Sequence, residues 1–387
     1  MSRVFKIEKK HSEIVSKGTL FKALRYIDDH DVETPVLLMD REKIREKTGM
    51  IGARIRGSRV FYAVKANPDF EVLRFMEGLG VGFEIASEGE LAMLARLGVS
   101  PSRIITSNPV KSFKFLRLAA EYGVDAYAFD SEEEVEKMAR MVPGARVYVR
   151  LTVPNEGSEW PLSKKFGTDP DRAWELLVMA RDKGLDPIGI TFHVGSQCTN
   201  IYNWNSAIYM ARQLWEQAAD EGMKLRVLNI GGGYPINYTR GVVGVEEIEA
   251  HIDGLVADNF PEGTEIWLEP GRSFVGDAGI FASQVIGLAA RGEERWVYLD
   301  VGVFNGLMES VGGIKFTYIV EDTRRDAPKR EYTVGGPSCD SFDVLDHGVA
   351  LPEPEVGSMV LVLSTGAYTV SYASEFNGFS IPKTILI

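Results

Sequence analysis

Between residues 36 and 271, short apolar runs return at regular intervals, and each is followed by a stretch with helical periodicity. The runs are VLLMD (36–40), RVFYAVKAN (59–67), GVGFEIAS (80–87), RIITSN (103–108) and AYAFDS (126–131), then RVYVRLTV (146–153), ITFHVGS (190–196), VLNIGGG (227–233) and EIWLEPG (265–271). The pieces between them read as amphipathic helices, among them EGELAMLARLG, where Ser87 and Glu90 have the spacing of a capping box. Two more are expected over 171–183 and over about 202–221. Such alternation predicts parallel strands joined by crossover helices, and eight units of this kind close a (β/α)8 barrel. Nine runs compete for eight places. Either the first or the last leaves the barrel, and EIWLEPG is the one expected to pass into the next domain.

Beyond Arg272 the pattern changes. QVIGLAAR (284–291), RWVYLDVGV (295–303), IKFTYIVE (314–321), REYTVGG (330–336) and SMVLVLSTGAYT (358–369) are β-rich runs separated by turns. They predict an antiparallel β domain, sandwich or barrel, which the first 34 residues are expected to join. The expected division is therefore a barrel over 35–272 and a β domain over 273–387 with 1–34.

A chain of 387 residues is long enough for two domains, and 45% hydrophobic with 25% charged residues supplies an ordinary globular core. A net charge of −12 argues against a nucleic-acid-binding surface and suits a cationic small substrate. No apolar run is long enough to span a bilayer, and the opening MSRVFKIEKK lacks a signal-peptide core, so no membrane partner and a cytoplasmic location are expected. Two cysteines, Cys198 and Cys339, make no disulfide framework. No metal site is indicated.

In a barrel of this type, functional groups gather at the C-terminal ends of the strands. Lys65, taken alone, reads as a strand-end charge reaching for water. The same rim, however, collects Glu84, Arg150, His193, Ser196, Gly231, Gly232, Gly233, Glu269 and Arg272. A triple glycine lets backbone N–H groups approach a phosphate, and Arg272 could add charge-assisted hydrogen bonds to it, with a plain Glu269–Arg272 salt bridge an equal reading of that pair. An amine, an anion cradle and a carboxylate together suit pyridoxal phosphate.

YAVKAN, GFEIAS, SKKFG (163–167), FHVGSQ, NIGGGYP, EPGRS, GPSCDSFD (336–343), GAYT and FNGF follow one another in an order that resembles the group IV pyridoxal-phosphate-dependent decarboxylases of the alanine-racemase-like fold, ornithine decarboxylases above all. The resemblance covers nearly the whole chain. It implies that Lys65 bonds the cofactor's aldehyde, that Glu269 pairs with the ring nitrogen, and that His193 stacks on the ring face. Ser196, Gly231, Gly232, Gly233, Arg272 and Tyr368 would form the phosphate cradle, with Tyr368 also bordering the substrate. Arg150 and Glu84 would bracket the cofactor's hydroxyl and reactive carbon. Here the chain departs from the commoner pattern, which has Asp at the position of Glu84.

The resemblance further implies that Cys339 returns a proton to the α-carbon after CO2 leaves, and that Asp340 holds the substrate's distal ammonium. In the family these two enter the partner subunit's active site, so a homodimer with shared sites is expected. Phe376 and Asn377 would line the pocket beside the cysteine, and Glu309 is a second candidate acid for the distal amine. These features predict decarboxylation of ornithine to putrescine, and of lysine as a further substrate. Diaminopimelate and arginine decarboxylases are the alternatives within the fold. The Cys-Asp pair speaks against the first, and the usual greater length of the second speaks against it. A non-catalytic or regulatory relative is the alternative of another class, and the presence of Lys65, Cys339 and Asp340 weighs against it.

Overall fold

The strand ending just before Lys65, Ser58–Ala63, is the hub of a parallel eight-stranded sheet in the computed structural model, which describes residues 3–160, 165–322 and 327–387. The sheet runs in the order Ile104–Ile105, Gly82–Glu84, Ser58–Ala63, Glu265–Leu268, Val227–Asn229, Asp186–Thr191, Arg146–Arg150, Ala126–Phe129. Its two ends meet. Thr106 donates to the carbonyl of Ala126 at 3.1 Å and accepts from the amide of Ala128 at 2.8 Å, so the sheet closes into a barrel.

Side chains fill the barrel interior, as a closed eight-stranded sheet requires. Phe61, Ile105, Ala126, Ala128, Tyr148, Ile188, Val227 and Trp267 form one buried cluster drawn from seven of the eight strands. The Trp267 ring meets Phe61 at 5.3 Å and Tyr148 edge-on at 5.7 Å. The helices between strands start where the sequence places caps. Ser87 Oγ accepts from the amide of Glu90 at 3.3 Å, while the Glu90 carboxylate reaches back to the amide of Ala86 at 2.6 Å. This is the expected box, with its return arm one residue further upstream. The helices expected over 171–183 and 202–221 are observed as Pro170–Asp182, capped by Asp169, and Tyr202–Asp220.

The choice between first and last apolar run comes out opposite to expectation. Glu265–Leu268 stays in the barrel, paired with Val227–Asn229 on one side and Ser58–Ala63 on the other. VLLM, strand Val36–Met39, is the run that leaves. It pairs antiparallel with Gly279–Arg291 and parallel with Lys383–Leu386. VLLM is apolar throughout and EIWL is apolar after Glu265, and an apolar run records burial on two faces without recording which neighbour supplies the hydrogen bonds.

The chain divides into two compact units: Lys47–Pro235 with Val243–Gly271, and Met1–Glu46 with Ile236–Val242 and Arg272–Ile387. The division thus departs from the expected 35–272 boundary at its start and by one short internal excursion. The second unit holds a mixed sheet, ordered Tyr318–Val320, Met359–Leu363, Gly279–Arg291, Glu294–Leu299, Lys329–Gly335, Val344–Pro352. Most of its pairs are antiparallel, but Glu294–Leu299 and Lys329–Gly335 run parallel, a correction to the purely antiparallel reading. Its core packs Leu20, Ala23 and Ile27 of helix Lys17–Asp29 against Val36, Leu38, Ile280, Leu361 and Leu363. No helix among the described residues is long and apolar enough to cross a membrane.

Candidate active site

Lys65 lies beyond its strand, inside the one-turn 3-10 helix Val64–Ala66. The residue before Pro68 is barred from the helical region, and Asn67 is extended (φ −156°, ψ 103°) as that clash demands. Asn67 then anchors the turn from both ends. Its side-chain oxygen accepts from the amide of Asp69 at 3.1 Å, and its carbonyl accepts from the Tyr62 hydroxyl at 3.0 Å. The turn carries the Lys65 side chain out over the rim, where it is 49% exposed. Its Nζ donates to Glu84 Oε2 at 2.6 Å, and the Glu84 side chain is 3% exposed. Glu84 is therefore placed to hold or move a proton at that nitrogen.

Glu269, directly after strand Glu265–Leu268, is buried. Its Oε1 accepts from the Ser107 hydroxyl and from Asn229 Nδ2 at 2.5 Å. Burial, then the charge of Glu84, pushes the Glu269 carboxyl up to about 7, against the pull of those two hydrogen bonds. His193 follows strand Asp186–Thr191, and its Nδ1 accepts from the amide of Gly195 at 3.0 Å. Loss of water, with the positive charges of Arg150 and Lys65, pushes its imidazole down to about 3, so it is neutral at working pH. Arg150 closes its own strand, with the guanidinium 5.6 Å from the Phe166 ring centre. Of the SKKFG motif, Ser163 and Lys164 lie outside the described residues.

The glycine loop is built so that nothing else fits. Gly231 (φ 65°) and Gly233 (φ 98°) both occupy the left-handed region. A Cβ would stand 2.4 Å from the Phe192 carbonyl at Gly231, 2.4 Å from the Glu269 carbonyl at Gly232 and 2.5 Å from the Gly195 carbonyl at Gly233. Ser196 opens the short strand Ser196–Cys198 beside the loop that this turn meets. Bare backbone beside an amine and a buried carboxylate fits a cofactor with a phosphate, an aldehyde and a basic ring nitrogen.

In the second unit, Arg272 is buried (3%) and pairs two-pronged with Glu309, Nη1 to Oε2 and Nη2 to Oε1, both at 2.7 Å. The Tyr238 hydroxyl also accepts from Nη1, and the Tyr368 ring centre lies 4.7 Å from the guanidinium carbon. Arg272, Tyr368 and Glu309 are thus brought together. The reading of Glu309 as an acid for the substrate's far end meets a competing fact, since both of its oxygens are engaged by Arg272. Tyr238 has no motif to signal it.

Cys339 and Asp340 are exposed. Asn377, in the left-handed region (φ 57°), offers its Oδ1 to the Cys339 amide at 3.2 Å and to the thiol at 3.3 Å. Asp340 Oδ1 accepts from the amide of Phe342 at 2.8 Å. The Phe304 ring lies tilted against Phe376 at 4.4 Å between centres and 6.3 Å from Phe342. The loop is pinned by Asp343, whose Oδ1 takes the amide of Val303 at 2.7 Å and whose Oδ2 takes that of Ser338 at 2.9 Å. Asp343 lies within GPSCDSFD, yet nothing in the motif distinguishes its role from that of Asp340.

A parallel barrel whose rim carries a lysine, a glycine cradle and a buried carboxylate defines a pyridoxal-phosphate-binding protein of the alanine-racemase-like fold. The chain belongs to the pyridoxal-dependent decarboxylases, group IV: the model of that family's pyridoxal binding domain matches residues 41–276. It is similar to the lysine/ornithine decarboxylase of Selenomonas ruminantium, 39% identical over 360 residues, 92% of this chain and 90% of that protein. It also resembles antizyme inhibitor 2 of Xenopus laevis, 35% identical over 337 residues, 82% of this chain and 73% of that protein. A solved arginine decarboxylase from Paramecium bursaria Chlorella virus superposes with a TM-score of 0.88 at 29% identity, covering 95% of this chain and 100% of that one. That last match removes chain length as an argument against an arginine substrate.

When bound, pyridoxal phosphate supplies an aldehyde that takes up the substrate's amino group and a protonated ring that accepts the electron pair released with CO2.

Proposed function

We propose that the chain decarboxylates L-ornithine to putrescine, with L-lysine as a further substrate, as a cytoplasmic homodimer whose active sites are shared between subunits. The observation that carries this reading is the Cys339–Asp340 turn. It presents a thiol and a carboxylate side by side on an exposed loop, held from behind by Asn377 and Asp343. A terminal ammonium suits Asp340 through a charge-assisted hydrogen bond. Cys339, with its thiol held at a fixed point, is the proton donor to the α-carbon. Phe342 (52%), Phe376 (39%) and Phe379 (36%) are exposed around this turn, an apolar rim of the kind a second copy would cover.

In this reading Lys65 bonds the cofactor, Glu84 handles the proton at its Nζ, and Glu269 faces the ring nitrogen. His193 lies on the ring face as a neutral imidazole, and Arg150 stands beside the cofactor's hydroxyl. Ser196, the glycine loop, Arg272 and Tyr368 receive the phosphate. Glu309 serves through Arg272, as a positioning residue, rather than on the substrate. The free thiols of Cys198 and Cys339 support the cytoplasmic location.

Steady-state kinetics on ornithine, lysine, arginine and diaminopimelate side by side test the substrate. One methylene is worth only about 1–3 kcal/mol of discrimination, so ornithine and lysine are expected within roughly 200-fold of each other in kcat/KM. A clear preference for diaminopimelate rejects the role given to Asp340, and one for arginine rejects the ornithine assignment. A regulatory, non-catalytic reading is favoured only if none of the four is turned over by protein loaded with cofactor.

A further inference from the structure

Behind Glu269 a file of polar groups runs beside the barrel's apolar cluster. Ser107 lies just beyond strand Ile104–Ile105, and its hydroxyl donates to Glu269 Oε1. The Tyr148 hydroxyl stands 2.8 Å from Ser107 Oγ and 3.1 Å from the Thr106 carbonyl. Asn229 Nδ2 reaches Glu269 Oε1 at 2.5 Å, and its Oδ1 is fixed by the amide of Gly231 at 2.9 Å. Ser107, Tyr148 and Asn229 are all buried.

Each hydroxyl has one proton, so the file has two self-consistent directions. With Glu269 charged, Tyr148 donates to Ser107 and Ser107 to Glu269. With Glu269 neutral, its own proton goes to Ser107, Ser107 turns to Tyr148, and Tyr148 turns to the Thr106 carbonyl. No heavy atom has to move between the two.

We propose that Ser107 and Tyr148 form a reversible hydroxyl relay that, with Asn229, positions Glu269 and lets it change charge in place as the cofactor arrives. The relay rests on the assignment of Glu269 to the cofactor's ring nitrogen. The carboxylate is charged when it faces that nitrogen, and the relay supplies a donor for that state. Without the cofactor, burial and Glu84 favour the neutral acid, and the reversed file accommodates it. The charged and titratable groups facing Glu269 are Glu84 at the end of Gly82–Glu84, Lys65 past Ser58–Ala63, and Arg150 and Tyr148 on Arg146–Arg150. His193, past Asp186–Thr191, is neutral.

The test measures the dissociation constant of pyridoxal 5'-phosphate from full-length, cofactor-depleted protein by quenching of tryptophan fluorescence, from pH 6 to pH 9. The variants are Ser107→Ala, Ser107→Thr and Glu269→Gln. Removing the Ser107 donor disfavours the charged carboxylate before binding. Ser107→Ala is therefore expected to weaken cofactor binding by roughly tenfold at pH 6, with the two curves converging by pH 9. Ser107→Thr keeps the hydroxyl and restores the wild-type curve. A uniform weakening at every pH, no weakening at pH 6, or no rescue by threonine would overturn the relay. Glu269→Gln tests the assignment beneath it. A variant curve with the same pH dependence as wild type shows that Glu269 does not face the ring nitrogen, whatever Ser107→Ala does.

Discussion

Arg272 and Glu309 form a two-pronged ion pair with both contacts at 2.7 Å and both side chains almost wholly out of water. A guanidinium fork and a carboxylate match in this geometry, which fixes the plane of the guanidinium as well as its place. The Tyr238 hydroxyl and the Tyr368 ring face complete its surroundings. In the proposed phosphate role, an arginine so held need not first find its rotamer.

Removing one partner of a buried pair leaves an uncompensated charge. Glu309→Ala is expected to destabilise the protein by about 3–5 kcal/mol, read as a lower urea midpoint. Cofactor affinity falls with it. If Glu309 instead held the substrate's distal amine, KM for ornithine would rise while the urea midpoint stayed near wild type.

Lys65→Ala removes the amine proposed to bond the cofactor. The purified variant is expected to lack the absorbance near ~420 nm that a lysine-bound pyridoxal phosphate gives, and to lose decarboxylation. The Glu84 side chain, 3% exposed, loses that contact inside the fold, so the melting temperature should fall as well.

Shared sites have a direct assay. Chains carrying Lys65→Ala and chains carrying Cys339→Ala are each expected to be nearly inactive. Mixed under conditions that exchange subunits, they should regain about a quarter of wild-type activity, because half the dimers are mixed and each mixed dimer has one intact site. No recovery after proven exchange would reject the shared-site arrangement.

The depressed His193 imidazole carries a sign that can be checked. Between pH 6.5 and about 3 the unfolded chain binds a proton there that the folded chain refuses, so stability is lost as pH falls through that window. His193→Gln is expected to flatten the acid limb of the urea midpoint plotted against pH. An unchanged limb would show that His193 is protonated in the fold.

Asn377 holds both the amide and the thiol of Cys339. Asn377→Ala is expected to lower kcat on ornithine and to raise the fraction of turnovers that end in aldehyde rather than amine, since the thiol no longer has a fixed position. Quantifying aldehyde, and the pyridoxamine phosphate formed with it, against putrescine reads that partition. An unchanged partition would mean that Asn377 has no part in placing the proton donor.

Much of the architecture is a property of the sequence alone. Strand–helix alternation follows from local apolar periodicity and caps such as Ser87 and Asp169, and those are written in neighbouring residues. The rim is legible for the same reason: once alternation is known, the ends of the strands are known, and Lys65, Glu84, His193, Gly231 and Glu269 fall there. The fate of VLLM is different, because its four buried residues are equally at home in either sheet. Only the hydrogen bonds of Gly279–Arg291 and Lys383–Leu386, from the far end of the chain, decide it. Tertiary structure also decides which charges meet. Arg272 lies three residues from Glu269 yet pairs with Glu309, and Glu269 is held by Ser107, 162 residues away in sequence. A side chain's residue type is local, but its partner is chosen by packing, where desolvation makes every buried charge and hydroxyl find whatever complementary group the fold brings within reach.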